Sequence, residues 1–202
     1  MASVQRFLVS LLLLAAAAVA PASETNAPHQ YLDEKTGVTV FFVDRPLLFV
    51  RESRVVRAWT DDHGAGTVTP RSYVTLAGAA VDRMGKYTYV LLGYFWLTGT
   101  PQLSENVACE HEHLVLDLGD RRIDLAPFDG SARDLGISQP IHRPAIGNAE
   151  PAVYTIDLAT LGLIAESAHP VLYCGPEKML LKYELREDRI AALKELLRHL
   201  GE

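Results

Sequence analysis

Two long apolar segments joined by a short polar turn constrain the fold more than any other feature. The segments are Tyr73–Val81 and Tyr87–Thr98, and the linker Asp82–Lys86 has an aspartate at its start and Gly85 where a left-handed residue is needed. This pattern predicts a β-hairpin. Apolar side chains of the second segment alternate onto both faces, with Tyr89, Leu91, Phe95 and Leu97 on one and Val90, Leu92, Tyr94 and Trp96 on the other. A strand that is apolar on both faces is covered on both faces, so it belongs in the middle of a sheet between two layers.

The aromatic side chains of this strand have two interpretations. They are typical of a ligand platform, and they are equally typical of a protein core. We favour the core, because aromatic side chains supply much of the area that a domain buries.

A second hairpin is predicted in full register around the turn Gly119-Asp120. With that turn, Leu116 faces Ile123, Leu114 faces Leu125, and Asp117 faces Arg122. The apolar pairs fall on one face and the ion pair on the other, as cross-strand pairing favours.

Further short β-branched or alternating runs predict more strands, at Val38–Val43, Leu47–Val50, Ala152–Ile156, Pro170–Tyr173 and Met179–Leu185. Asp61–Gly66 and residues 127–151 are predicted as loops from their composition. Asp157 is a candidate N-cap for a helix with Leu158, Leu161, Ile164, Ala165 and Ala168 at helical spacing.

A second helix is predicted from about Glu187-Asp188, with an apolar stripe of Ile190, Leu193, Leu197 and Leu200. The predicted fold class is therefore α+β, mainly antiparallel β, as a sandwich or curled sheet with two helices in the C-terminal third.

The amino terminus predicts export. Phe7–Ala20 is an apolar run after Arg6, and a helix of that length spans roughly 21 Å, short of the roughly 30 Å hydrocarbon core. We expect residues 1–22 to be a signal peptide cut after Ala22, with an uncleaved membrane anchor as the alternative. No later stretch is long enough to span a bilayer. The chain is thus expected to be periplasmic or secreted.

The expected organisation after the signal peptide is simple. Residues 23–30 are polar and predict a flexible lead-in. Residues 31–202 are expected to form a single β-rich domain, with a subdivision near residues 100–105 as the alternative, because that stretch is polar and contains a proline.

Cys109 and Cys174 are the two cysteines of the chain. An even count in an exported protein predicts a disulfide bond, and the alternative is two independent buried thiols. The spacing is not that of a Cys-x-x-Cys motif, so a thioredoxin-type role has no support.

The segment Cys109-Glu110-His111-Glu112-His113 has metal-ligand spacing. On a strand, His111 and His113 point the same way, about 6.5 Å apart at the backbone, which suits a zinc or copper ion. A third ligand would come from elsewhere, and Asp61, His63, His142 and His169 remain equal candidates; Cys109 qualifies only outside a disulfide. The alternative is a solvated polar strand segment at a sheet edge, because two ligands do not define a site.

Charge and motifs exclude several functions. The formal net charge is -6, so there is no basic footprint for nucleic acid. The sequence has no Gly-x-Ser-x-Gly elbow, P-loop, dinucleotide fingerprint or His-Glu-x-x-His motif. These observations favour a protein that is not an enzyme.

The stretch YLDEKTGVTVFFVDRPLLFVRE, followed by RSYVTLAGAAVDRMGKYTYVLLGYFW, resembles an uncharacterised group of exported bacterial envelope proteins. The resemblance covers roughly residues 31–98 and rests on the Tyr-Leu-Asp and Thr-Gly-x-Thr beginning and the Asp-Arg-Met-Gly hairpin. It implies an envelope location and transfers no catalytic residues. Many members of the group carry a lipoprotein cysteine, which this sequence lacks near residue 22.

The sequence therefore predicts an exported, non-enzymatic β-rich module that binds an envelope protein or a small ligand. The alternative is a metal-binding protein or metal-dependent enzyme that uses His111 and His113.

Overall fold

The structure is a computed structural model of the chain. It describes residues 26–52, 56–60, 64–68, 71–98, 109, 113–142, 151–176, 180–187 and 189–201. Within these ranges no helix is long and apolar enough to cross a membrane.

Twelve strands and two helices make up the described fold. In chain order the strands are β1 (His29–Asp33), β2 (Val38–Phe42), β3 (Leu47–Glu52), β4 (Val56–Thr60), β5 (Gly64–Val68), β6 (Arg71–Arg83), β7 (Lys86–Thr98), β8 (Leu114–Asp117), β9 (Arg122–Leu125), β10 (Ala152–Ile156), β11 (Val171–Cys174) and β12 (Leu181–Glu187). The helices are α1 (Leu158–Glu166) and α2 (Ile190–Leu200).

The hairpin of β6 and β7 organises the sheet. The two strands pair along their whole length, from Arg71 opposite Thr98 to Arg83 opposite Lys86. Met84 and Gly85 form the turn with φ of 56° and 83°, as a tight hairpin of this hand requires. The predicted hairpin is therefore confirmed, with strands a few residues longer than predicted.

The other edge of β6 is shared by two short strands. β2 pairs with its second half and β3 with its first half, both antiparallel. The sheet runs β1-β2-β6-β3-β12-β11-β8-β9, while β7 pairs with β6 and β10. It curls into a half-barrel, and a bridge from Pro127 to Tyr154 joins the chain after β9 to β10. The predicted α+β class with a curled antiparallel sheet is confirmed.

Both faces of β7 are buried, as the alternation predicts. The inner face, which faces the helices, contributes Leu91 to a core that includes Phe49, Leu161 and Leu196. The outer face contributes Val90, Leu92 and Tyr94 to a second core. The predicted central position of this strand is therefore confirmed.

The second core is closed by residues 128–142, which we call the cover segment. It contributes the buried side chains of Ile137 and Ile141 against the outer face. The predicted loop from 127 is thus irregular but packed in its first half. Residues 143–150 lie outside the described part.

The buried side chain of Asp33 forms hydrogen bonds both to the cover segment and to the turn between β1 and β2. Its carboxylate accepts from the backbone N–H of Ser138 at 2.8 Å and from that of Lys35 at 3.1 Å. The hydroxyl of Ser138 is the largest cause of a lowered pKa for Asp33, and the backbone bonds act in the same direction. Because the pKa is lowered on folding, the ionised Asp33 stabilises the fold above about pH 4 and loses this effect as the pH falls through its folded pKa.

The predicted disulfide between Cys109 and Cys174 is present, with the Cα atoms 5.4 Å apart. Cys174 ends β11 and is fully buried in the inner core. The bond closes a loop with a sequence separation of 65, for which chain entropy gives about 4 kcal/mol. It ties the chain just before β8 to the C-terminal strands.

The β8–β9 hairpin has the predicted register, with Leu116 opposite Ile123 and Asp117 opposite Arg122. Asp117 accepts from the Arg122 guanidinium at 3.0 Å. Asp157 caps α1 as predicted, since its side chain accepts from the Thr160 N–H at 2.6 Å.

Three details of the sequence prediction are wrong. Gly64–Gly66, predicted as loop, begin β5, because pairing with β4 outweighs the turn preference of glycine; residues 61–63 lie outside the described part. Ala168 is predicted within the first helix, but α1 ends at Glu166; Leu158 lies in α1 as predicted and is 40% exposed. The last helix begins at Ile190 rather than near Glu187, because β12 continues to Glu187.

Helix α2 crosses very close to β6 at Gly78. A Cβ atom on Gly78 would lie 2.6 Å from Cδ1 of Leu193, which is itself buried. The absence of a side chain on Gly78 therefore sets how closely the helix approaches the sheet.

We expect Gly78→Ala to lower the free energy of unfolding by about 1–3 kcal/mol, because the added methyl group forces the buried Leu193 side chain to shift against its core neighbours. The same substitution at Gly162 is the control. It lies inside α1 with nothing within 4 Å of an added Cβ, so Gly162→Ala should raise the free energy of unfolding by about 0.5–1 kcal/mol. Urea denaturation of both variants shows whether each substitution raises or lowers the free energy of unfolding. A neutral or stabilising Gly78→Ala would contradict the close helix–sheet contact.

Candidate binding site

The structure places only part of the predicted metal segment. His113 lies half-buried just before β8, and its carbonyl accepts from the Gly175 N–H at 3.3 Å. His111, Glu110 and Glu112 lie outside the described residues. Cys109 is in the disulfide and is therefore not a ligand.

Among the described residues, no candidate third ligand forms a metal-binding group with His113. His142 packs its ring against Tyr94 and His169 is exposed after α1, while Asp61 and His63 lie outside the described ranges. Among the described residues no group of three or more histidine, cysteine or acidic side chains could hold a metal ion. Zinc or copper binding through His111 and His113 stays a prediction.

An open groove of about 550 Å³ lies beside the pair β3 and β12. This size is within the range of small-molecule sites. Its walls combine apolar and charged side chains: Val50, Arg51, Glu52, Leu180, Leu181, Lys182, Glu184, Leu185 and Arg186.

A β-bulge shapes this groove. Leu185 lies opposite Phe49 and Glu187 opposite Leu48, so Arg186 is an extra residue with no partner position on β3. Bulges redirect a side chain and are frequent beside functional sites. Here the extra residue is Arg186, which is exposed and lines the groove.

The carboxylates of the groove are already paired. Glu52 forms an ion pair with Arg71 at 3.0 Å, and Glu184 forms one with Lys182 at 3.0 Å. The hydrogen bond that Lys182 donates to the Glu184 carboxylate is the main cause of a raised pKa for Lys182, so the ammonium stays charged. Since both pairs are exposed, each contributes little to stability.

A buried hydrogen bond lies next to the groove. The hydroxyls of Ser72 and Tyr183 are 2.7 Å apart, and both residues are buried. Burial raises the pKa of Tyr183, and the positive charge of Arg51 opposes that rise. Arg51 therefore lines the groove and also lies close enough to the buried Tyr183 to act on its hydroxyl electrostatically.

The outer face next to Val50 carries an aromatic pair. Val50 is opposite Tyr73, and Tyr73 is opposite Trp96. The rings of Tyr73 and Trp96 stack at 5.2 Å between centroids with 3° between planes. Tyr73 and Trp96 are both half-buried. Tyr94, two residues before Trp96 on the same strand, is buried in the core as predicted.

One step along the same face, Thr75 lies opposite Tyr94, and both are buried. Neither hydroxyl has a hydrogen-bond partner within the part of the chain that the structure describes. Burial raises the pKa of Tyr94. The nearby backbone N–H of His142 lowers that pKa by a smaller amount, although it lies outside hydrogen-bond geometry with the hydroxyl. Burial also lowers the pKa of His142, so its ring is neutral near pH 7.

Sequence reasoning did not find the groove. The alternation of Leu181, Tyr183 and Leu185 with Lys182 and Glu184 predicts the strand β12 but gives no sign of the bulge at Arg186. The partner strand β3 is far away in sequence, and no local signal reports their offset.

Comparison of the chain with protein-family models, with curated proteins and with solved structures finds no match. The case for a function therefore rests on this chain alone.

The buried hydroxyls allow a test of the outer face. Tyr94→Phe and Thr75→Val should each raise the free energy of unfolding by about 1 kcal/mol, because each removes a buried hydroxyl that has no hydrogen-bond partner among the described residues. Tyr183→Phe is the matched control and should lower it by about 1 kcal/mol, because it breaks the bond to Ser72. Thermal and urea unfolding give the three values. A loss of stability in Tyr94→Phe would contradict an unpartnered hydroxyl.

Proposed function

We propose that the protein is an exported, non-enzymatic binding module that holds a small ligand in the β3–β12 groove. The observation that carries the proposal is the groove itself: it is open, it has the volume of a ligand site, and it combines an apolar wall with charged groups.

Two further observations support a role outside the reducing cytoplasm. Disulfide bonds form and persist mainly in oxidising compartments, and the Cys109–Cys174 bond is part of the buried structure. The predicted signal peptide at residues 1–22 and the resemblance to envelope proteins agree with that location. A periplasmic or secreted site of action is therefore part of the proposal.

A neutral apolar dye tests whether the groove binds ligands. We expect the purified mature chain to bind one equivalent of Nile red with a blue-shifted, enhanced fluorescence, because the dye would lie against the leucine side chains of the groove. Leu180→Gln should weaken this binding about fivefold, since it removes apolar contact area without adding charge.

Leu158→Gln is the matched control. Leu158 is an exposed leucine on α1 and does not line the groove, so the same substitution there should leave dye binding unchanged. Absence of stoichiometric dye binding, or equal weakening by both substitutions, would contradict the groove as the binding site.

A further inference from the structure

We infer that the ligand of the groove is a small amphipathic carboxylate, with its anionic group on Arg186 and its apolar chain along the leucine wall. The inference rests on the proposed function and adds the chemical class of the ligand. It follows from the charges of the groove, the position of the bulge and the placement of the apolar side chains.

The charge balance of the groove favours an anion. Its lining carboxylates are Glu52 and Glu184, and each already forms an ion pair. Three cations line the groove beside these two carboxylates: Arg51, Lys182 and Arg186. The local charge is thus positive on a chain whose formal net charge is -6. Such a local field attracts anions and repels cations.

Arg186 is the group best placed to hold the anion. It is the extra residue of the bulge, so it departs from the regular alternation of β12, and it lines the groove. A guanidinium presents a planar fork of donors that matches a carboxylate with two parallel hydrogen bonds.

The apolar side chains define the rest of the ligand. Leu180, Leu181 and Leu185 line the groove and are half-buried. Leu181 and Leu185 also pack against the inner core, so the part of each side chain that stays exposed is the apolar surface that an aliphatic chain can cover. Val50 also lines the groove, on the face of the sheet that carries Tyr73. A carboxylate on a short aliphatic chain satisfies both the cationic and the apolar part, whereas a small inorganic anion satisfies only the first.

Displacement of Nile red by decanoate and by 1-decanol tests the inference, because the two probes share an apolar chain and differ in the anionic group. Both are used below their solubility and micelle limits. We expect decanoate to displace the dye at a concentration at least tenfold lower than 1-decanol does. Raising the salt concentration to 0.5 M should narrow this ratio, because screening weakens the ion pair and leaves the apolar contact intact.

Variants of Arg186 identify the group responsible. Arg186→Gln should raise the decanoate concentration needed about tenfold and leave 1-decanol unchanged, while Arg186→Lys should give an intermediate value because the charge remains and the fork is lost. Arg83→Gln is the control for net charge, since Arg83 lies at the hairpin end of β6 and does not line the groove.

The outcomes separate the two proposals. Equal displacement by decanoate and 1-decanol, or a decanoate response that Arg186→Gln does not change, would overturn the inferred ligand class while binding in the groove stands. A chain that binds no Nile red would overturn the proposed function and the inference with it.

Discussion

The pairing of β6 with β7 is the interaction on which the other parts of the structure depend. These two strands pair from Arg71–Thr98 to Arg83–Lys86, and both faces of their central part are covered. The helices pack on the inner face, and the cover segment packs on the outer face. Every strand of the large sheet is joined to this hairpin directly or through neighbours. The long hairpin therefore acts as the common wall of two cores.

The groove lies beside β3 and β12, where the sheet continues from the β6–β7 hairpin. β3 uses only the first half of the free edge of β6, and its other edge pairs with β12 across a bulge. A bulge bends its strand and interrupts the ladder, so side chains there do not all enter a core. The half-buried leucines and the exposed Arg186 occupy the region where the regular packing ends.

Local patterns in the sequence predicted much of this fold. The β6–β7 hairpin, the register of β8 with β9 and the cap at Asp157 depend on residues close in sequence, so their alternation and turn chemistry are sufficient. The disulfide could be predicted because two cysteines allow only one pairing. The prediction of a loop at Gly64–Gly66 was wrong because pairing with β4 outweighs the turn preference of the glycines.

The binding groove could not be predicted for the same physical reason. Its shape depends on the offset between β3 and β12, which are distant in sequence, and on one extra residue at position 186. The His111 and His113 hypothesis used a local spacing, and spacing alone cannot say what other ligands the fold brings near.

Hydrogen exchange of backbone amides, followed by mass spectrometry or NMR, tests the central claim that β6 and β7 hold the structure together. We expect Val74–Val81 and Val90–Tyr94 to exchange most slowly, near the rate of global unfolding, because they are paired and covered on both faces. Amides around the bulge at Leu185–Glu187 should exchange faster, through local opening. Slowest exchange in β11 and β12, with earlier exchange in the β6–β7 hairpin, would contradict the central role of that hairpin.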